Sequence, residues 1–240
     1  MGTQPQAEYY YLTGYDTGRV FKYDTNFVYT NTYIDLKPIT PGYLATPFRC
    51  RDITKGTNGH WYITENNNKR IYEYDETWTY VNYHIVSAQE NNPSGLHQGS
   101  DGKFYLIGLD PTEVGVNPNR VWVYNSDWTY SGTSYDLSAN VVYGTGLWEM
   151  PNGHWYILEK EWIYDYNATF TYSGTRHTLR YGSPIVHGLN GYGLFVDSSN
   201  NLYVVDIGDD MINVYNSSFV LQGSYSTLAE DSVMSGIYKI

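Results

Sequence analysis

One segment recurs five times along this chain, and it constrains the fold more than any other feature. Its pattern is Tyr, then Asp or Asn, two further residues, then Phe or Trp. It runs from Tyr23-Asp24 to Phe27, Tyr74-Asp75 to Trp78, Tyr124-Asn125 to Trp128, Tyr166-Asn167 to Phe170, and Tyr215-Asn216 to Phe219. A β-branched residue stands three before each tyrosine: Val20, Ile71, Val121, Ile163 and Ile212. Tyr29, Tyr80, Tyr130 and Tyr172 follow the aromatic by two, with Leu221 in the last copy. Aromatic and β-branched residues fit a half-buried pleated surface, and Asp or Asn bonds its own backbone to close a turn. Each copy therefore reads as strand, turn, strand.

Another strand lies upstream of each copy: Tyr10-Tyr11-Leu12, Trp61-Tyr62-Ile63, Phe104-Tyr105-Leu106, Trp155-Tyr156-Ile157 and Leu202-Tyr203-Val204. Turn signals precede four of these, at Asn58-Gly59, Asp101-Gly102, Asn152-Gly153 and Asn200-Asn201. Such pairs suit tight hairpins. Before the turns comes a small-apolar step, Gly95-Leu96, Gly146-Leu147, Gly193-Leu194 and the variant Asp52-Ile53. Each unit thus has four antiparallel strands, a to d, and the motif tyrosines are 42 to 51 residues apart. Four-stranded units of that length are propeller blades, and no helical periodicity of useful length competes. The expected fold is one all-β domain, a five-bladed β-propeller. Its blades span approximately 8–36 with 231–240, 46–86, 93–137, 141–179 and 185–228. The chain begins on strand b at Glu8-Tyr9-Tyr10 and ends on a strand a at Ser235-Gly236-Ile237-Tyr238. The C-terminal strand is expected to complete the first blade and remove an exposed edge.

The Gly-Leu/Ile, aromatic-Tyr-Val and Val-x-x-Tyr-Asp steps resemble NHL-type propeller blades over the whole chain. The count of five is similar to tachylectin-type lectins and to five-bladed glycosidase folds. These resemblances imply the architecture and carry no sugar-binding residue onto a position here.

A net charge of −11 and 14 scattered Lys and Arg residues give no basic stripe for nucleic acid or anionic membrane. No apolar run approaches a membrane span, so no membrane insertion is expected. Residues 1–6 lack a basic region and an apolar run, so they do not read as an export signal. Cys50 is the only cysteine, expected as a small core residue.

Five-bladed glycosidases place carboxylates around a central depression. Here Glu65, Glu159 and Asp206 share one repeat position at the end of strand b, with Gly14 and Gly108 in the other blades. They read either as solvated strand ends or as a catalytic rim. Asp52 stands where other blades carry glycine, beside Arg49 and Arg51, and a local ion pair accounts for it as well as a catalytic role does. Thr54, His97, Trp148, Phe195 and Tyr238 share one position of strand a and are expected to plug the ring or stack on a ligand. Alternation leaves open whether that row or the Leu/Ile row faces the axis. His97 and His187 are the only histidines near strand a, too few for a metal set, and no cofactor motif is present. Asn167 and Asn216 open glycosylation sequons, meaningful in an exported chain.

The b–c and d–a loops vary from blade to blade, whereas the a–b and c–d turns repeat. Divergent loops on a rigid ring are where recognition is placed. The expected ligand-binding set is Arg49, Arg51, Asp52, Glu65, His97, Trp148, Glu159, His187, Tyr192 and Asp206, centred near Arg49, His187 and Tyr192. Tyr15, Tyr43, Tyr143, Tyr181 and Asn190 lie on the same loops. The expected function is a non-catalytic module that binds a glycan or peptide on the b–c/d–a loop face, its partner being a glycan or a protein surface. A structural assembly protein, such as a virion, fibre or extracellular component, and a glycoside hydrolase or lyase remain the alternatives.

Overall fold

The computed structural model describes residues 8–40, 48–108, 119–179, 190–227 and 233–240. Its strands form five separate four-stranded antiparallel sheets. The first blade combines β1 (Tyr10–Gly14), β2 (Arg19–Tyr23) and β3 (Tyr29–Asp35) with the C-terminal β20 (Met234–Lys239). The second holds β4 (Cys50–Lys55), β5 (Trp61–Glu65), β6 (Arg70–Tyr74) and β7 (Tyr80–Ile85). The third holds β8 (Pro93–Gln98), β9 (Phe104–Gly108), β10 (Arg120–Tyr124) and β11 (Tyr130–Asp136). The fourth holds β12 (Gly146–Glu149), β13 (Trp155–Glu159), β14 (Trp162–Tyr166) and β15 (Tyr172–Thr178). The fifth holds β16 (Gly191–Val196), β17 (Leu202–Asp206), β18 (Met211–Tyr215) and β19 (Leu221–Ser226). The chain is a five-bladed propeller, closed by β20 against β1 in the register Tyr10–Lys239 to Thr13–Gly236.

Alternate residues of each b strand serve opposite neighbours. Tyr10 and Leu12 pack with Phe195 and Tyr203 of the fifth blade, while Tyr11 packs with Trp61 and Ile63 of the second. The same alternation recurs, so five apolar clusters fill the five inter-blade spaces. Burying one such large side chain contributes about 1.5–3 kcal/mol. This is why both parities of strand b are apolar.

The aromatic residue of each repeat is a keystone between blades. Phe27, Trp78, Trp128, Phe170 and Phe219 all take positive φ, from 55° to 67°. Bulky residues rarely adopt that region. The turn imposes it: each aromatic N–H donates to the carbonyl of the Asp or Asn three residues earlier, as in Trp78 to Asp75 at 3.0 Å. The Asp75 carboxylate also accepts the N–H groups of Thr77 and Thr79. Asn167 and Asn216, the sequon residues, accept equivalent bonds through their side-chain oxygens. So directed, the ring reaches the preceding blade. Trp128 stacks on His84 at 4.8 Å, Phe170 on Tyr135 at 4.4 Å, Phe219 on His177 at 3.7 Å, and Phe27 lies 4.5 Å from Tyr225.

The five inner strands pack around the axis. Ile53, Leu96, Leu147, Leu194 and Ile237 point into the inter-blade clusters, so the opposite parity faces the centre. Glycine is required there by close approach. A Cβ on Gly236 would stand 2.6 Å from Asp52 Cα, and one on Gly193 2.5 Å from the Ser235 carbonyl. Buried hydroxyls then stitch neighbouring blades together. Ser235 donates to Cys50 O, Thr64 to Ser94 O, Ser94 to Thr145 O, and Thr145 to Gly191 O, at 2.7–2.9 Å. At one end of the axis the rings of His97, Trp148, Phe195 and Tyr238 close on one another. Trp148 lies 4.2 Å from His97, 5.0 Å from Phe195 and 6.2 Å from Tyr238. The aromatic row forms a plug.

Candidate recognition site

The residues expected to bind ligand divide among three places. His97 and Trp148 belong to the plug, on the a–b side of the ring. Asp52, Glu65, Glu159 and Asp206 are buried. Arg49, Arg51 and Tyr192 lie at the starts of inner strands, on the b–c/d–a side. His187, with Tyr43 and Tyr181, falls outside the described residues.

The buried acids correct the expectation of solvated strand ends. Glu65 accepts the backbone N–H groups of Arg49, Asn67 and Asn68. Glu159 accepts those of Val142 and Tyr143, and Asp206 those of Asn190 and Gly208. In each case a carboxylate ties its own blade's incoming d–a loop to strand b. In the third blade Glu90 reaches from the d–a loop into the space left by Gly108. A strand-end acid with a polar loop on either side looks solvated in sequence. Its burial depends on how the next loop folds over it.

Asp52 also differs from its expected ion pair. One carboxylate oxygen accepts Ile53 N–H at 2.9 Å and the other accepts Leu96 N–H of the next blade at 2.9 Å. Burial pushes its carboxyl well above the usual range. Arg49 lies 4.0 Å from Asp16 instead. Asp52→Ala would strand two buried donors, and a stability loss of about 2 kcal/mol is expected from their desolvation. Chemical denaturation measures it, and an unchanged midpoint would remove Asp52 from the inter-blade bonding.

What remains on the b–c/d–a face is built around Arg51. Its guanidinium lies 4.3 Å from the Tyr15 ring centre and 4.9 Å from that of Tyr192. Nη2 donates to the Tyr15 hydroxyl at 3.0 Å, while Nε is buried without a partner. Among the described residues no carboxylate pairs with Arg51. It forms part of the wall of a pocket of about 260 Å³ with Tyr15, Asp16, Tyr192, Ile207, Val233 and Ser235. Stacking between aromatic faces holds a guanidinium flat and leaves its in-plane donors free for another group. Sequence reading reached Arg51, Tyr15 and Tyr192 but missed Asp16, Ile207, Val233 and Ser235. The last two arrive with β20, across the seam that closes the ring.

Elsewhere on this face Lys160 covers the Tyr143 ring at 5.3 Å. Among the described residues no group of three or more His, Cys, Asp or Glu is placed to hold a metal, and no helix is long and apolar enough to cross a membrane.

No protein-family model and no curated protein matches the sequence. Solved structures do match, over nearly the whole chain. A nidogen/laminin complex matches at 11% identity, covering 97% of this chain and 98% of that one, with TM-score 0.59. A protein of unknown function from Bacteroides caccae matches at 10% identity, 98% and 99% coverage and TM-score 0.57. A streptogramin B lyase matches at 15% identity, covering 94% of this chain and 70% of that one, with TM-score 0.54. What these proteins share with this chain is the fold. A propeller of this kind serves both a protein complex and a lyase, so function here rests on the site.

Proposed function

We propose that this protein is a non-catalytic recognition module whose b–c/d–a face binds an anionic glycan at Arg51. The observation that carries this reading is a guanidinium beside the Tyr15 and Tyr192 rings in a small pocket, bonded to the Tyr15 hydroxyl but paired with no carboxylate among the described residues. A planar, always-charged fork with free donors matches a carboxylate or sulfate. The tyrosine rings supply faces for a sugar, and the exposed Asp16 carboxylate supplies an acceptor for its hydroxyls. At about 260 Å³ the pocket suits one sugar unit rather than a large ligand. The non-catalytic part of the reading is supported by the carboxylates that sequence placed on the rim. They are buried, and each accepts backbone N–H groups of its own loops.

The test is calorimetric titration with oligosaccharides carrying uronic or sialic acid, against neutral oligosaccharides of equal length. The acidic series is expected to bind, and Arg51→Gln to weaken it about tenfold or more, the size of a lost hydrogen bond to charge. Tyr192→Ala is expected to weaken it about tenfold, with little change in melting temperature. Equal binding of neutral sugars, binding only of acidic peptides, or turnover of any glycan overturns the reading.

A further inference from the structure

The a–b face, opposite the Arg51 pocket, carries a larger concavity of about 410 Å³ around Trp148. Trp148 is partly exposed there. Its indole is braced from within by His97 and Phe195, so the ring is a fixed platform rather than a mobile surface side chain. A rigid, half-open indole backed by other rings presents its electron-rich face to whatever enters.

The charge on the wall of this concavity has one sign. Glu149 and Asp197 line the concavity, and no Lys or Arg does. Both acids are held by neutral donors. Glu149 accepts the N–H and hydroxyl of Ser100. Asp197 accepts the N–H groups of Ser199 and Asn201, the Asn201 amide and the Tyr203 hydroxyl. Burial alone would raise the Asp197 pKa, but those hydrogen bonds outweigh it and hold the group below the usual range, so it stays anionic. The only other titratable group on the wall is His97. Its burial among rings lowers its pKa to about 3, leaving a neutral imidazole whose Nδ1 is buried without a partner. Lys239 lines an adjoining hollow that shares Trp148 and Asp197, and it is bonded to Glu8 at 2.6 Å.

We propose that the a–b face holds a second binding site, at Trp148, for an organic cation bearing an alkylammonium or guanidinium group. The indole supplies the cation–π face, and Glu149 and Asp197 supply the opposing charge. The site is independent of the Arg51 pocket and of its glycan reading.

The experiment titrates tetramethylammonium, L-lysine amide and L-arginine amide into the full chain while following tryptophan fluorescence and indole N–H chemical shifts. tert-Butanol serves as the neutral isostere, and sodium chloride keeps ionic strength equal. The organic cations are expected to saturate a signal that tert-butanol does not produce. Binding of the amides over tetramethylammonium points to a peptide side chain as the source, and the reverse order to a quaternary ammonium headgroup; both support the site. Trp148→Leu is expected to lower affinity about tenfold, within the range of a desolvated cation–π contact. Glu149→Gln should weaken it several-fold, while Arg51→Gln leaves it unchanged. If Trp148→Leu fails to fold, Glu149→Gln decides. Equal response to tert-butanol, no response to any cation at 100-fold molar excess, or unchanged affinity in Glu149→Gln overturns the proposal.

Discussion

Deleting residues 231–240 is expected to abolish cooperative unfolding and leave an aggregating chain. These residues carry β20, the inner strand of the first blade, which pairs with β1 across the whole length of that strand. Their loss opens β1 as an unpaired edge, and open edges pair with other chains. It also removes Met234 and Ile237 from one inter-blade cluster and Tyr238 from the plug. The Ser235 hydroxyl bond to Cys50 O goes with them. A point substitution separates closure from simple truncation. Gly236→Val keeps the strand but puts a branched side chain where even a Cβ would meet Asp52 Cα at 2.6 Å. Overpacking of this kind costs about 1–3 kcal/mol where neighbours can yield, and here the neighbour is backbone. Differential scanning calorimetry and light scattering follow both variants. A truncated chain with the melting transition of the intact protein would end the closure account.

Acidification is expected to remove several kcal/mol of stability between about pH 6.5 and pH 3. His97 dominates. Buried among Trp148 and Trp155, it has its pKa lowered from 6.5 to about 3. A base depressed in this way is neutral when folded, so its contribution is complete above pH 6.5 and is lost as pH falls toward 3. At about 1.4 kcal/mol per unit the bound is roughly 5 kcal/mol, and partial opening of the ring to the a–b concavity brings the expectation to about 3. His84 and His177 are lowered by burial and act in the same direction. So does Glu73. Its burial alone would raise the pKa, but bonds from His60, His84 and Tyr62 hold it below the usual range, and that stability is lost at still lower pH. Asp52 opposes them, because its raised pKa makes ionisation destabilising as pH rises. Denaturation midpoints at pH 8, 6 and 4.5 measure the slope, which His97→Phe is expected to flatten. Parallel slopes in the wild type and His97→Phe would show that His97 is not the source.

Blade count, strand count and closure were legible in the sequence because each rests on short-range chemistry repeated five times. The Tyr-Asp/Asn-x-x-aromatic segment needs only its own turn, and the b strands announce two buried faces by carrying large residues at both parities. The seam follows from the same logic, since a blade lacking strand a and a chain ending in one must meet. The candidate site was legible only in part. Arg51, Tyr15 and Tyr192 sit on loops that differ between blades, and that divergence is visible. Their convergence is not, because it joins the adjacent fifth, first and second blades and draws in Val233 and Ser235 from the closing C-terminal segment.

The tertiary structure alone decided which groups are spent on holding the ring and which are left for a ligand. Glu65, Glu159, Asp206 and Asp52 have the composition of a catalytic rim, yet all four are buried and accept backbone N–H groups. Arg51 resembles any strand-end arginine, yet no carboxylate pairs with it among the described residues. It also decided the direction of the inner strands, where either parity was compatible with the alternation. Backbone approach at Gly193 and Gly236 leaves no room for a side chain, so the Leu and Ile row turns into the blades and the rings of His97, Trp148, Phe195 and Tyr238 meet at one end of the axis. Local sequence sets propensity and turn chemistry within a blade. Whether a polar group is satisfied depends on atoms one or more blades away, and only the closed ring brings them together.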